Sequence, residues 1–176
     1  MFRVFLLGSI LLVALPSVVA QTPYAGMQAR SIKSLSEQQI SDLSEGRGMG
    51  LALAAELNGY PGPSHAIDLA EQLSLSPDQM AKLRAQFNAM KAEAVSIGSQ
   101  LIEEERILDR QFVDKSITFK SLEKATQKIG QTQAKLRTTH LKYHLSTVAV
   151  LTPEQVGKYN QLRGYSGEMR HPGHRH

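Results

Sequence analysis

The chain has 176 residues, of which 20% are charged, and its Lys and Arg residues exceed its Asp and Glu residues by four. This excess is modest, and without a basic run interleaved with aromatic residues it does not favour nucleic-acid binding. The chain contains no cysteine, which excludes disulfides and a cysteine nucleophile. We therefore expect its stability to come from helix packing or from association.

The first 20 residues have the pattern of a cleavable secretory signal. Arg3 precedes an apolar run over residues 4–19, and Ala20 follows as a small residue at a possible cleavage site. The run is short for a membrane span, which needs about 20 apolar residues. We predict that residues 1–20 direct export, and an uncleaved membrane anchor stays open as the alternative.

The next segments are polar and then helical. Residues 21–35 lack a periodic pattern, so we predict a flexible leader. A first helix is predicted over residues 36–58, although Gly46, Gly48 and Gly50 interrupt it. No strand signal precedes these glycines and no Gly-Lys-Ser/Thr follows them, so they favour close backbone packing or a break between two short helices over phosphate binding.

Two pentads of the same pattern indicate helix starts: residues 75–79 (LSPDQ) and residues 151–155 (LTPEQ). In each, the hydroxyl can accept a bond from the backbone N–H of the Gln, and the Gln side chain can reach back to the cap residue. Proline fills the first helical position, where its missing N–H costs nothing. A weaker copy without proline occupies residues 35–39 (LSEQQ).

The pentad at residues 75–79 opens the longest periodic segment of the chain. Its core positions are alternately three and four residues apart: Met80, Leu83, Phe87, Met90, Ala94, Ile97, Leu101, Glu104 and Leu108. An average spacing of about 3.5 residues predicts helices that cross at a shallow angle. Glu104 is the one charged member, and we expect it at a solvated end of this seam; a buried partner for a basic residue or a metal ligand are the alternatives.

A second long helix is predicted after a link at residues 113–117. Thr118 can cap it, but Ser121 stands where Glu or Gln would complete the capping box, so this start should be less sharply defined. Apolar residues then recur every seven residues: Leu122, Ile129, Leu136 and Tyr143. Short helices are predicted on either side of the two long ones, over residues 64–73 and from residue 153 onward.

These elements predict an all-α fold, a long antiparallel helical hairpin with short flanking helices. A short link makes two long helices antiparallel neighbours. Such a thin hairpin cannot enclose all of its apolar surface, so we expect an elongated homodimer. No strand-like alternation extends over a useful length.

The repeated Leu, hydroxyl, two variable residues and Gln resemble the LTxxQ motif of the small extracytoplasmic stress proteins of the Spy/CpxP type, including the zinc-resistance-associated protein ZraP. The resemblance covers roughly residues 64–165, and two copies carry Ser where the motif has Thr. Residues 46–63 (GRGMGLALAAELNGYPGP) are similar to a segment of periplasmic heavy-metal sensors or refolding chaperones. The resemblance implies a periplasmic protein with a helical domain over residues 36–165.

Two functions follow from this resemblance, and neither is enzymatic. The first is an ATP-independent chaperone or envelope-stress adaptor that needs no cofactor; its partners would be unfolded or misfolded periplasmic proteins, or a membrane signalling protein. The second is a sensor or resistance protein for zinc, nickel or cobalt. The residues themselves offer no Gly-x-Ser-x-Gly elbow and no separate acidic pair that would indicate catalysis.

His140 and His144 are the first candidate metal ligands. Residues four apart on a helix share one face, and imidazole suits zinc, copper, nickel and cobalt. The Glu that follows the first His in zinc proteases is missing, which argues against hydrolysis. The alternative is that both rings pack at the hairpin or dimer interface, and His65 is interpreted as a surface histidine.

The end of the chain holds the second candidate cluster, in a flexible tail over residues 166–176. His171, His174 and His176 could chelate zinc or another divalent transition metal. A flexible tail loses conformational entropy when it becomes ordered. The alternative is a solvated tail with incidental metal affinity.

Overall fold

The computed structural model describes residues 24–165, and these residues form helices without any strand. The elements are a 3₁₀ turn (Met27–Ala29), α1 (Glu37–Ser44), α2 (Leu53–Glu56), α3 (Pro63–Asp68), α4 (Pro77–Val113), α5 (Phe119–Val148) and α6 (Pro153–Leu162). The prediction of an all-α fold is confirmed. The predicted signal at residues 1–20 and the predicted tail at residues 166–176 lie outside the described residues.

No helix within residues 24–165 is both long enough and apolar enough to cross a membrane.

The two long helices, α4 and α5, contact each other over much of their length. Gln86 near the start of α4 donates to the carbonyl of Ser146 near the end of α5, at 3.3 Å. Further along α4, Gln100 donates to the hydroxyl of Thr132 at 3.3 Å. All nine predicted seam positions of α4 are buried or half-buried. The heptad pattern therefore identified the face of α4 that packs inside the chain.

Four helices begin at capping boxes, at Ser36, Ser76, Thr118 and Thr152. In each, the cap hydroxyl accepts a hydrogen bond from the third helical N–H. The expectation of an incomplete box at Thr118 is wrong, because the Ser121 hydroxyl accepts a hydrogen bond from the Thr118 N–H at 3.0 Å. A serine oxygen thus does here what a glutamine oxygen does in the pentads.

The predicted first helix is divided into α1 and α2. The chain turns between them through Gly46 and Gly50, whose φ angles of 66° and 76° favour glycine. A single helix over residues 36–58 is therefore wrong, whereas the break between two short helices is confirmed. The predicted helix at residues 64–73 also ends early, at Asp68.

The second half of the predicted leader packs on the core. Ile32 and Leu35 are 1% and 8% exposed and belong to the same apolar cluster as Leu101 of α4. The Lys33 ammonium lies 3.1 Å from the Asp109 carboxylate. A flexible leader over residues 21–35 is therefore wrong at its C-terminal end, because apolar anchors fix the chain there.

Gly98 marks the point where α1 meets α4. A Cβ atom at this position would lie 2.2 Å from the Leu43 carbonyl oxygen, which is far inside van der Waals contact. The backbones can approach this closely only because residue 98 has no side chain.

Glu104 is buried rather than solvated, so the expectation for this residue is wrong. It is 5% exposed, and one carboxylate oxygen accepts a hydrogen bond from Gln100 at 2.7 Å. Lys128 of α5 lies 3.6 Å from the same oxygen. The helix pairing supplies the basic partner that makes this burial possible.

Candidate functional site

The glutamines of the two proline-containing pentads bind each other. Nε2 of Gln79 donates to Oε1 of Gln155 at 2.8 Å, and Nε2 of Gln155 donates to Oε1 of Gln79 at 3.1 Å. Their second N–H groups donate to the carbonyls of Val150 and Leu73. Each Oε1 also accepts from the N–H of its own cap residue. The two motifs therefore join the start of α4 to the start of α6.

This pairing uses the full hydrogen-bonding capacity of both amides. A glutamine side chain offers two donors and two acceptor sites, and all four are occupied in each residue. No capacity is left for a ligand. The repeated motif is thus a structural clamp, whose pairing could not be inferred from the helix starts alone.

A cavity of about 590 Å³ lies between the glycine turn, α2, the start of α3, and the facing sides of α4 and α5. Cavities of this size commonly hold small ligands. Its apolar walls include Met49, Leu53, Phe87 and Met90. Its polar groups include Arg47, Lys91, Glu56, His65, His140 and His144. The structure therefore brings His65 to the same cavity as His140 and His144, which are more than 70 residues away in the sequence.

His140 is 3% exposed and its Nε2 atom has no hydrogen-bond partner within the described residues. Burial, and to a lesser extent the charge of His144, lowers the pKa of His140 below its ordinary value. Gly48 lies next to the ring, and a Cβ there would lie 3.9 Å from Nδ1, in ordinary van der Waals contact. The site thus holds a neutral imidazole whose buried Nε2 atom is unpaired within the described residues.

His144 is positioned by the turn before α3. Its Nδ1–H donates to the Tyr60 carbonyl at 2.7 Å, an assignment that leaves Nε2 as the acceptor of the ring. Gly62 is packed against this ring, because a Cβ there would lie 2.8 Å from Cε1. The two rings are therefore buried within one chain, and one of them carries a hydrogen bond that fixes its orientation.

Of the five predicted metal ligands, two lie within the described residues and three lie outside them. Within residues 24–165, no three His, Cys, Asp or Glu side chains are grouped as a metal ion requires. His140 and His144 line the same cavity and stay a predicted pair of ligands. His171, His174 and His176 lie outside the described residues, and their role as ligands stays a prediction.

Glu56 is a site residue that sequence reasoning missed. It is 5% exposed at the base of the cavity, and its carboxylate accepts hydrogen bonds from the hydroxyls of Tyr159 and Tyr165. His65 and Arg163 approach the same oxygen at 3.3 and 3.5 Å. The one available signal was its position as a lone acid in the apolar run LALAAEL.

The Glu56 carboxylate is ionised despite its burial. Burial alone would raise its pKa, but the hydrogen bonds from His65 and Tyr159, with the charges of His65 and His144, lower the pKa to about 2. Tyr159 is fully buried, and burial together with its bond to Glu56 raises the pKa of its hydroxyl. This cluster connects α2, α3 and α6 below the cavity.

One of the comparisons with known proteins identifies a family for this chain. The family model for LTXXQ motif family proteins matches residues 64–163, which include both paired glutamines and all three cavity histidines. None of the curated proteins and none of the solved structures matches the chain. The family includes Spy/CpxP/ZraP-like periplasmic proteins. The matched residues make up more than half of the chain, and this protein therefore belongs to the LTXXQ motif family.

Proposed function

We propose that this protein is a periplasmic, ATP-independent chaperone or envelope-stress adaptor that holds unfolded or misfolded proteins on its helical surface. Membership of the LTXXQ family supports a Spy/CpxP-type periplasmic protein. The observation that carries the proposal is an apolar rim of exposed side chains around α2, of which Met49 and Leu53 line the cavity. We define this rim as Met49, Leu53, Leu57 and Tyr60.

The rim presents large apolar side chains to solvent. Leu53 and Leu57 are 53% and 56% exposed, and Met49 and Tyr60 are both 41% exposed. All four lie within residues 49–60, so this exposed apolar surface is concentrated in one short stretch around α2. Such patches commonly mark interaction surfaces, and methionine adapts to partners of different shapes.

The neighbouring cavity offers chemistry that suits an unfolded client. An apolar client side chain would enter between Phe87 and Met90, while Lys91 attracts acidic segments. Such contacts are adaptable rather than shape-specific, so a client can leave and refold without a nucleotide cycle. A membrane signalling protein is the alternative partner of an adaptor.

We further infer that α4 and α5 form an antiparallel hairpin and that the protein is an elongated homodimer. The hairpin is supported by contacts that run in opposite order along the two helices. The dimer is supported by exposed apolar surface outside the rim, such as Leu162, which is 45% exposed.

The proposal is tested by suppression of client aggregation with surface variants. Leu53→Ser should weaken protection of a chemically unfolded client severalfold, because it removes apolar surface from the rim. Ile107→Ser is the matched control, since Ile107 is also exposed and lies about 24 Å along α4 from Lys91 at a rise of 1.5 Å per residue. Equal protection by wild type and Leu53→Ser, with unchanged helix content, would contradict the proposal.

A metal sensor is the second candidate, and the unpartnered Nε2 of His140 favours it. Together with Nε2 of His144, it could supply two neutral imidazole ligands for zinc, nickel or cobalt. Titrations should compare the wild type, a truncation after Arg170 and a His140/His144 double variant. Tight binding that survives truncation and disappears in the double variant would favour the sensor; binding lost only with the tail would favour the chaperone with incidental chelation.

A further inference from the structure

The link between the two long helices ends in a small apolar surface. Phe112 and Val113 close α4 and are 54% and 60% exposed, and Phe119 opens α5 with 93% of its surface exposed. We call these three residues the tip. The tip lies about 30 Å along α4 from Lys91 in the cavity, at a rise of 1.5 Å per residue. It is therefore separate from the proposed client surface.

The fold does not require an apolar residue at position 119. The turn is closed by the Thr118 and Ser121 hydroxyls, and Phe119 contributes only its backbone as the first helical residue. A phenylalanine exposed to this degree gains nothing from the core of its own chain. The side chain is thus available to a partner.

Basic residues flank the tip along the chain. Within the described residues, four cations next to it form no salt bridge: Arg110, Lys115, Lys120 and Lys124. Asp114 and Glu123 are the acidic residues of the same stretch, so positive charge is in excess. The surface is therefore apolar at its centre and cationic at its edge.

We propose that the tip docks on an anionic lipid surface. Aromatic side chains enter the boundary between headgroups and acyl chains, while lysine and arginine contact the phosphates. A stable protein interface buries about 800 Å² on each partner, whereas aromatic side chains bury about 150–250 Å² each, so three side chains are too few for a stable dimer contact. Charge complementarity and size both point to lipid.

A single tryptophan provides the direct test, because the chain contains none. Phe119→Trp and the control Leu145→Trp are placed in the full chain, so any contribution of residues outside the described part is the same in both. Leu145 is 60% exposed and lies at the far end of α5. Tryptophan fluorescence emission is recorded with phosphatidylglycerol vesicles, with phosphatidylcholine vesicles and without lipid. Quenching of this fluorescence is measured with lipids that carry brominated acyl chains.

The proposal predicts a blue shift and quenching for Phe119→Trp with phosphatidylglycerol, and a clearly smaller change with phosphatidylcholine or for Leu145→Trp. The proposal is overturned if Phe119→Trp shows no shift, or if both tryptophans shift equally. A concentration-dependent shift without lipid would instead indicate a second copy at the tip and would also overturn it.

Charge reversal tests the cationic edge independently. Lys120→Glu with Lys124→Glu should reduce phosphatidylglycerol binding at least tenfold in vesicle sedimentation, and added salt should weaken wild-type binding. Lys82→Glu with Lys158→Glu changes the net charge equally at exposed sites in α4 and α6 away from the tip. Equal losses of vesicle binding in the two double variants would show that only net charge matters and would contradict docking through the tip.

Discussion

Capping hydroxyls are the smallest features that determine where the helices begin. Thr152→Ala should lower the free energy of unfolding by about 1 kcal/mol, because the Gln155 N–H loses its acceptor. Denaturant unfolding measures this change. Thr126→Ala is the control, since its hydroxyl only bonds carbonyls within α5. Client protection should fall only as stability falls; its loss at an unchanged melting temperature would make the motif a binding site.

The Glu56 carboxylate predicts a specific dependence of stability on pH. Its pKa falls from 4.5 to about 2 on folding. A carboxyl with a depressed folded pKa stabilises the fold above its unfolded pKa, and this stabilisation is lost as the pH falls toward the folded value. The shift corresponds to a contribution on the order of 3 kcal/mol.

Glu56→Gln should therefore be less stable than the wild type at neutral pH, and this difference should shrink between about pH 5 and pH 2. Urea unfolding of both proteins over this range is the measurement. A stability difference that stays constant down to the lowest pH would show that the carboxylate charge does not stabilise the fold.

Sequence reasoning was successful at the caps of the three pentads and failed at the buried acids. A cap depends on residues three positions apart, so its pattern is visible in the chain. Burial of Glu56 depends on Tyr159 and Arg163, more than 100 residues away, and Glu104 depends on Lys128 of the other long helix. Such distant partners leave no local signal.

The paired glutamines join the start of α4 to the start of α6. This pairing predicts that the effects of the two glutamines on stability are coupled. Gln79→Ala and Gln155→Ala each leave polar groups of the partner unpaired, which should cost about 1–3 kcal/mol. The double variant should lose less than the sum by at least about 0.5 kcal/mol, because the second removal breaks no remaining bond between them. Denaturant unfolding of the wild type, the two single variants and the double variant measures this double-mutant cycle. Losses of unfolding free energy that simply add would contradict the clamp.

The crossing of α1 and α4 predicts opposite effects for two helical glycines. Gly98→Ala should destabilise the protein by about 1–3 kcal/mol, because the new methyl group pushes α1 away. Gly130→Ala is the matched change in α5, with no atom within 4 Å of the new Cβ. It should stabilise by about 0.5–1 kcal/mol through helix propensity. Thermal unfolding that shows the same sign for both would contradict the close crossing.

The long helices were predictable because their apolar residues repeat over many turns. The seam from Met80 to Leu108 needed no knowledge of the partner to be recognised. The contact at Gly98 was not predictable, since a helical glycine has the same local appearance whether a neighbour approaches it or not. The end of the leader was missed because Ile32 and Leu35 are too few to form a periodic pattern.

We predict that two copies of the whole chain associate. Purified wild-type protein should sediment as an elongated dimer at micromolar concentration, and a compact monomer would contradict this. Leu101 is 5% exposed within one chain. Leu101→Asp should therefore unfold the protein rather than separate folded subunits, because it buries a charge in the core. Circular dichroism beside sedimentation distinguishes these outcomes.

The candidate site could be predicted only in part. The pair His140 and His144 was recognisable from spacing on one helix. The cavity around them needs the glycine turn, α2 and α3 to fold back against α4 and α5, and no local pattern encodes that arrangement. The apolar rim was invisible for the same reason, because Leu53 and Leu57 resemble core residues in the sequence.

Suppression of client aggregation with and without zinc tests the central claim most directly. The wild-type protein is mixed with a chemically unfolded client, with zinc and with a chelator, and light scattering is followed over time. The chaperone account predicts strong protection that is the same under both conditions. Absent protection under either condition, with zinc bound tightly through His140 and His144, would contradict it and identify the protein as a metal sensor.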